Sequence, residues 1–352
     1  MPSEWTNVLR DANLLALDDD NFSEYGQRRA TAEEWPQLVD LSYLGVLEVT
    51  GSDAESFLQA QLCNDFTQVA PTQAQITGYC TPKGRLLGLP VALMGDNAIF
   101  LIAPISVVEP LLKRLSMFVL RAEVRIKQRS DLLCLGLIAG DQSNLGQAGA
   151  LLGKLPDTPL AVSQSEQSYL IRWHDDLTGS SVRTRYIHLA SVAQQIDIWN
   201  ASPELAKAPS ANWQLADIAA GIPTITSEIA EQFVPQMINL QLIDALSFTK
   251  GCYPGQEIVA RMQYLGKLKR QMRLFRFDNA ELIPLPGEKV STTDDSEAGV
   301  VVNAVGNADG EGLALVVVKK TMADQAMSVG NLELSPQNLP YSLADPAEEC
   351  AT

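Results

Sequence analysis

The sequence predicts an α+β fold in which antiparallel sheets carry helices and a small β-barrel follows at the C-terminal end. Three observations carry this. A strand–helix–strand–strand rhythm runs twice between residues 44 and 200. From Arg273 onward it gives way to short strands separated by Gly, Pro, Asn and Asp. Hydrophobic residues make up 46% and charged residues 19% of the 352. That balance is globular, ample for two or three packed units, and contains no apolar run near the roughly eighteen residues of a membrane span.

Residues 1–30 are polar and acidic (Asp18-Asp19-Asp20) and read as a loosely packed lead-in. Leu44–Thr50 is a strand. Ser52 and Glu55 form a capping box for a helix that turns Phe57, Leu58 and Leu62 inward. Gln75–Cys80, Leu86–Met94 and Ala98–Ala103 are strands, with Pro82-Lys83-Gly84 as a tight turn. Ser106 and Glu109 make a second capping box, starting a helix that runs to Leu120. Arg121–Lys127 alternates charge with Ala122, Val124 and Ile126, a half-buried strand. Leu132–Ala139 is a continuous apolar strand, and a helix follows over Gln142–Leu152. Tyr169–Trp173 and Arg185–Ala190 are strands, and Ser191–Asn200 is a helix. The barrel strands are Arg273–Phe277, Lys289–Thr292, Gly299–Val305, Leu313–Lys319 and Leu332–Leu334.

Net charge is −16, from 26 Lys and Arg against 42 Asp and Glu, which argues against wholesale coating of nucleic acid. Two stretches run the other way. Residues 250–273 hold six cations against Glu257 alone, and residues 113–129 hold six against Glu123. Basic patches on an acidic body predict focused recognition of an anion. Neither patch interleaves aromatics in the RNA-stacking manner, so direct nucleic-acid binding is not expected. Five Cys without a CxxC pair, and no basic-then-apolar leader, predict a reduced, cytoplasmic chain without disulfides. Cys63, Cys80 and Cys134 sit in apolar surroundings as small core residues, and Cys350 lies in the tail. His174 and His188, far apart, offer no metal-ligand spacing, and no metal is expected.

The densest chemistry lies in Lys250-Gly251-Cys252-Tyr253-Pro254-Gly255-Gln256-Glu257, followed by a helical pattern through Ile258, Val259 and Met262. A glycine turn opening a helix leaves free N–H groups and a positive dipole end near Cys252; Lys250 adds a second positive influence, and both favour a thiolate. On the residues alone, this is either a reactive-thiol site or a tight turn around a small Cys, with Glu257 serving the dipole.

The same residues are similar to the KGCYxGQE signature of the YgfZ family, a branch of the folate-binding fold shared with the glycine-cleavage T protein, an aminomethyltransferase. The resemblance extends over roughly residues 40–343. Gly51-Ser52-Asp53-Ala54 with Phe57 and Gln61 resembles the family's first strand–helix corner, and Lys83-Gly84-Arg85 its hairpin turn. Trp213 through Gly221-Ile222-Pro223 resembles its central helix, and Leu339-Pro340-Tyr341-Ser342-Leu343 its ending. The resemblance implies three units around a central hole that binds tetrahydrofolate: an α+β core over 31–130 and 200–272, a second α+β unit over 131–199, and the barrel over 273–345. It also implies an accessory role for iron–sulfur enzymes, among them a tRNA methylthiotransferase, and so a part in tRNA modification.

On this resemblance Cys252 is the functional thiol and Lys250 its support. Trp213 and Tyr253 stack on the ligand, Gln256 and Glu257 orient the loop, and Arg261 meets an anionic group. Two departures qualify the folate site. The central helix carries Ala219 where the family has a Glu that accepts from the pterin, a loss of about 1–3 kcal/mol. Leu44 stands where some members have a Trp, leaving Trp213 alone of an aromatic pair. A third departure concerns the reaction: Gly84–Leu89 lacks the Asp pair of the aminomethyltransferases, so that activity is not expected. Two other classes stay open: a folate-dependent one-carbon transferase using another carboxylate, and a tRNA-binding adaptor.

Overall fold

The computed structural model describes residues 2–14, 35–140 and 145–343, apart from 167, 179, 180, 295, 308 and 324. The acidic stretch Asp18-Asp19-Asp20, the Gln142 start of the fourth helix and Cys350 lie outside the described residues. The elements run α1 (Ser3–Asp11), β1 (Gln37–Asp40), β2 (Leu44–Thr50), α2 (Ala54–Gln61), β3 (Gln75–Ile76), β4 (Tyr79–Cys80) and β5 (Leu86–Gly88). Next come β6 (Val91–Met94), β7 (Ile99–Pro104), α3 (Ile105–Val119), β8 (Arg125–Gln128), β9 (Leu132–Ala139), α4 (Leu145–Leu152), β10 (Val162–Ser165) and β11 (Ser168–Arg172). Then follow β12 (Thr184–Ser191), α5 (Val192–Ala201), β13 (Ala206–Ala208), α6 (Ser210–Ala219) and α7 (Gln256–Tyr264). The barrel strands are β14 (Arg270–Phe277), β15 (Lys289–Thr292), β16 (Glu297–Gly306), β17 (Gly312–Lys319), β18 (Met327–Val329) and β19 (Leu332–Gln337).

Three bodies surround α6. The first is a five-stranded antiparallel sheet, β3-β6-β7-β2-β8. One face buries Leu47, Val49 and Leu101 against α2 and α3, and the alternate residues Val46, Leu93 and Ile102 point to the molecular centre. The second is a six-stranded sheet, β10-β11-β12-β9-β1-β13, in which only β1 and β13 pair in parallel. The apolar run of β9 divides by period two. Leu133, Leu135 and Leu137 pack outward with Trp5 and Trp199, while Cys134 and Ile138 face the centre. The third is a closed barrel, β14-β17-β16-β15-β18-β19, tied to the segment after α6 by Asn303, which donates to Thr224 O (3.0 Å) and accepts from Thr224 N (2.8 Å).

Several expectations are corrected. Residues 3–11 are no loose lead-in: α1 buries Trp5 and Leu9, four apart on one helix face, and the Trp5 indole donates to the buried Asp40 at 2.8 Å. The second sheet is not confined to 131–199, because β1 and β13 form its far edge. Neither anticipated capping box forms: Ser52 donates to Glu123 and Ser106 lies inside α3, whose N-cap is Pro104. The capping box that forms is Ser191 with Gln194 on α5. Gln75–Cys80 and Leu86–Met94 each divide between two sheets, the second at Leu89-Pro90, where proline has no N–H for a ladder.

Candidate functional site

Helix α6 is buried on nearly every side, including the polar Ser210, Asn212 and Asp217. It can be so because its surroundings are apolar sheet faces and its polar groups find partners. Asn212 donates to Gln37 at 3.0 Å, and Asp217 Oδ1 accepts from the Trp173 indole at 2.7 Å and pairs with Arg185 at 2.8 Å. Trp213 lies over Gly136 of β9, where a Cβ would stand 2.8 Å from the indole; only glycine lets the ring sit this close to the sheet. The Arg185 guanidinium covers the Trp213 ring at 4.6 Å and donates to His174 O at 2.8 Å. Burial pushes the Asp217 carboxyl up, and the Arg185 charge opposes that. Burial, with Arg185 and Arg172 nearby, pulls His174 down to about 4.

Between α6 and the inner sheet faces lies a cavity of about 50 Å³, lined largely by apolar side chains, with the indoles of Trp173 and Trp213 and the Asp217 carboxylate. Leu44 lines it too. The lining is apolar apart from the two indoles and one carboxylate, and Trp213, covered by Gly136 and Arg185 on its two faces, contributes its edge.

The KGCYPGQE loop is built separately. Gly255 has φ +85° and Gly84 has φ +68°. The two meet back to back: a Cβ on Gly255 would lie 2.4 Å from Thr81 O and 2.7 Å from Gly84. Hence the Lys83-Gly84-Arg85 turn and the loop dock as one unit. Lys250 is buried, and its ammonium donates to Gln59 O (2.6 Å) and Leu62 O (2.5 Å) at the end of α2 and to Asn64 O (2.9 Å) just beyond it. Burial pulls its pKa down to about 8. Tyr253 is buried with its ring 5.4 Å from that ammonium, and burial raises its phenol. Cys252, by contrast, is exposed as a free thiol, and Gln256 donates to Lys250 O at 3.4 Å.

The predicted residues therefore fall into two places. Leu44 and Trp213 meet at the central cavity. Cys252, Lys250, Tyr253, Gln256, Glu257 and Arg261 belong to the loop and α7, with Glu257 and Arg261 exposed on that helix. Lys250 turns toward α2, and its interactions are with carbonyls and the Tyr253 ring. The sequence reading missed Trp173, Asp217 and Arg185. Trp173 supplies the second indole that position 44 lacks, and its only sequence signal is an aromatic at the end of an apolar strand. The signal for the pair is Asp217 standing alone among the apolar residues Leu215, Ala216, Ile218, Ala219 and Ala220, since a buried carboxylate demands a cationic partner. Among the described residues, no three His, Cys, Asp or Glu side chains converge as a metal site requires.

No family model matches the chain. Among curated proteins it is similar to the tRNA-modifying protein YgfZ of Edwardsiella ictaluri, 32% identical over 309 residues, 84% of this chain and 89% of that one. The Colwellia psychrerythraea protein of the same name is 32% identical over 235 residues, 67% of this chain and 70% of its own length. That of Yersinia pseudotuberculosis is 28% identical over 88% of this chain and 93% of its own. Among solved structures, the glycine cleavage system aminomethyltransferase T from Bartonella henselae superposes with a TM-score of 0.70 over 87% of this chain and 86% of that one, at 14% identity. That likeness establishes the fold.

Proposed function

The chain belongs to the YgfZ family, and from that premise we propose that it is a tetrahydrofolate-binding accessory protein, cytoplasmic, that takes part in tRNA modification by supporting iron–sulfur enzymes such as a tRNA methylthiotransferase. The observation that supports this is the lining of the cavity beside α6: two indoles and a single carboxylate are chemically suited to a pterin ring rather than to a phosphate or a sugar. When bound, tetrahydrofolate supplies a carrier for one-carbon units. The chain's own residues bind and orient it. Trp213, fixed between Gly136 and the Arg185 guanidinium, forms one wall; Trp173, fixed through its N–H to Asp217, forms another. Desolvation inside this apolar space strengthens any hydrogen bond made to Asp217.

The working group toward partner proteins is Cys252. It stands exposed on a loop whose neighbours Lys250 and Tyr253 are buried, so the thiol is presented on a rigid base. No aminomethyl transfer is assigned, because the turn from Gly84 to Leu89 offers no carboxylate.

Calorimetric titration tests the cavity. Tetrahydrofolate binds the unchanged protein, and Trp213→Ala, provided its near-ultraviolet circular dichroism shows a packed core, binds at least about tenfold more weakly. Absence of binding at millimolar ligand sinks the proposal. For the thiol, Cys252→Ser fails to restore iron–sulfur enzyme activity in a strain lacking the protein; full restoration means that the thiol has no part.

A further inference from the structure

Helix α3 ends in a way that its own packing does not explain. Its inward face, with Leu111 and Leu115, is buried against the first sheet. Beyond it, Met117 is 71% exposed, Phe118 38% and Leu120 86%. Ala122 N donates to Val119 O at 2.8 Å, closing a turn in which Leu120 holds the corner with φ +47° and ψ −103°. That corner favours glycine, because a Cβ there crowds the backbone. A leucine is thus held in strained backbone while its side chain buries almost nothing within the chain, so no intramolecular contact offsets the strain. The cations around it are arginines. Arg114 lies 5.9 Å from the Phe118 ring centroid, and Arg121 and Arg125 are exposed. Among the described residues no carboxylate pairs with any of the three: Glu109 is taken by Lys113 at 2.6 Å, and Glu123 accepts from the Ser52 hydroxyl at 2.8 Å.

We propose, resting on the accessory reading above, that this end of α3 is the surface on which the client iron–sulfur enzyme docks, through an apolar groove of its own edged by carboxylates. Met117, Phe118 and Leu120 form the apolar centre, and the three arginines form the rim. Met, aromatics and Arg are the residue types that protein interfaces gather, at the expense of Lys. Guanidinium forks without an internal partner fit carboxylates bidentately. Charge selects among the occupants. The chain as a whole carries −16. A membrane or a nucleic acid presents anionic charge to a whole face of the molecule and is repelled by the acidic body. A protein groove within the Debye length of about 8 Å feels the local cations instead. A second copy in a two-fold contact would set the same arginines against each other. The position also suits the accessory role. Helix α2 starts against this turn, where Glu123 N donates to Asp53 Oδ2 at 2.8 Å, and ends at the carbonyls that Lys250 holds. Its 8 residues span about 12 Å. A partner footprint of about 800 Å² is wide enough to take in both the turn and the KGCYPGQE loop.

The test measures the affinity of a cluster-loaded tRNA methylthiotransferase for the unchanged protein, Leu120→Gly and Arg121→Glu, by biolayer interferometry at low and high salt, with urea denaturation alongside. Leu120→Gly unfolds at a urea midpoint no lower than the unchanged protein, because glycine relieves the turn, and yet binds the enzyme at least about tenfold more weakly. Arg121→Glu also binds at least about tenfold more weakly and loses part of the salt dependence. Undiminished affinity in either variant overturns the proposal. So does a lowered midpoint in Leu120→Gly, which would give the leucine to the fold rather than to a partner. Pelleting with phosphatidylglycerol vesicles, or self-association of the chain, that is lost in Leu120→Gly overturns it in favour of a membrane or a second copy. If the unchanged protein restores iron–sulfur enzyme activity to a strain lacking it but does not bind the enzyme, this proposal falls and the accessory reading stands. If it does not restore that activity, the accessory reading falls and this proposal with it.

Discussion

Lys250 shows how one residue can carry a motif without carrying its chemistry. A lysine next to a cysteine suggests an electrostatic partner, yet the ammonium closes the C-terminal end of α2 through the carbonyls of Gln59 and Leu62 and holds the following Asn64 carbonyl as well. Lys250→Met leaves those acceptors buried and lowers unfolding free energy by about 2–3 kcal/mol in urea. It also loosens the base on which Cys252 stands. His174 supplies a pH dependence. Its folded pKa of about 4 lies below the ordinary value of 6.5. The unfolded chain therefore binds more protons between these two, and stability falls as pH drops through that window. Above about 6.5 the contribution is complete. The whole span is worth about 3 kcal/mol. His174→Gln makes the stability-against-pH curve flatter between 6.5 and 4; an unchanged slope refutes the assignment. Neither role could be read from residue type and neighbours in sequence, because both depend on which backbone carbonyls or arginines the fold brings near.

At the level of elements, most strands and helices were legible, because β2, β7, β9 and β17 are apolar runs bounded by turn residues. The start of α5 at Ser191 was legible too, but the capping boxes at Ser52 and Ser106 were not the caps they resembled. Ser52-x-x-Glu55 and Ser106-x-x-Glu109 satisfy the capping pattern, but strand β7 runs straight into α3 and Ser52 is drawn to Glu123 across the sheet edge. Tertiary partners outcompete the local motif. The expected consequence is a contrast: Ser191→Ala costs about 1 kcal/mol, whereas Ser52→Ala stays within about 0.5 kcal/mol. The loop–turn contact is stricter. Gly255→Ala meets both a positive φ and a backbone oxygen at 2.4 Å, so it costs about 2–3 kcal/mol and displaces the Lys83-Gly84-Arg85 turn. An Ala variant as stable as the parent, measured by denaturant midpoint, contradicts that contact.

For the whole molecule, the change of pattern after Arg273 announced the barrel, and the two sheets followed from the repeated rhythm. The arrangement of those sheets around α6 was not visible, since an isolated helix with apolar residues on every face states only that it is enclosed. So the two indoles, one from β11's end and one from α6, could not be paired in advance. The amino-terminal helix was underestimated for a similar reason: its apolar face is two residues wide, and only the Asp40 acceptor, distant in sequence, shows what it docks against. Trp5→Ala removes a fully buried indole and leaves Asp40 without that donor, a loss of about 3–5 kcal/mol.

Strand β1 sits between β9 and β13, so its neighbours in the sheet come from far later in the chain. Translation delivers Gln37–Asp40 long before Leu132–Ala139, and Ala206–Ala208 last of all. Until the ribosome has passed Ala208, β1 lacks one of its two partners and keeps an unpaired edge. Between those two events the edge of β1 is open to pairing with other chains.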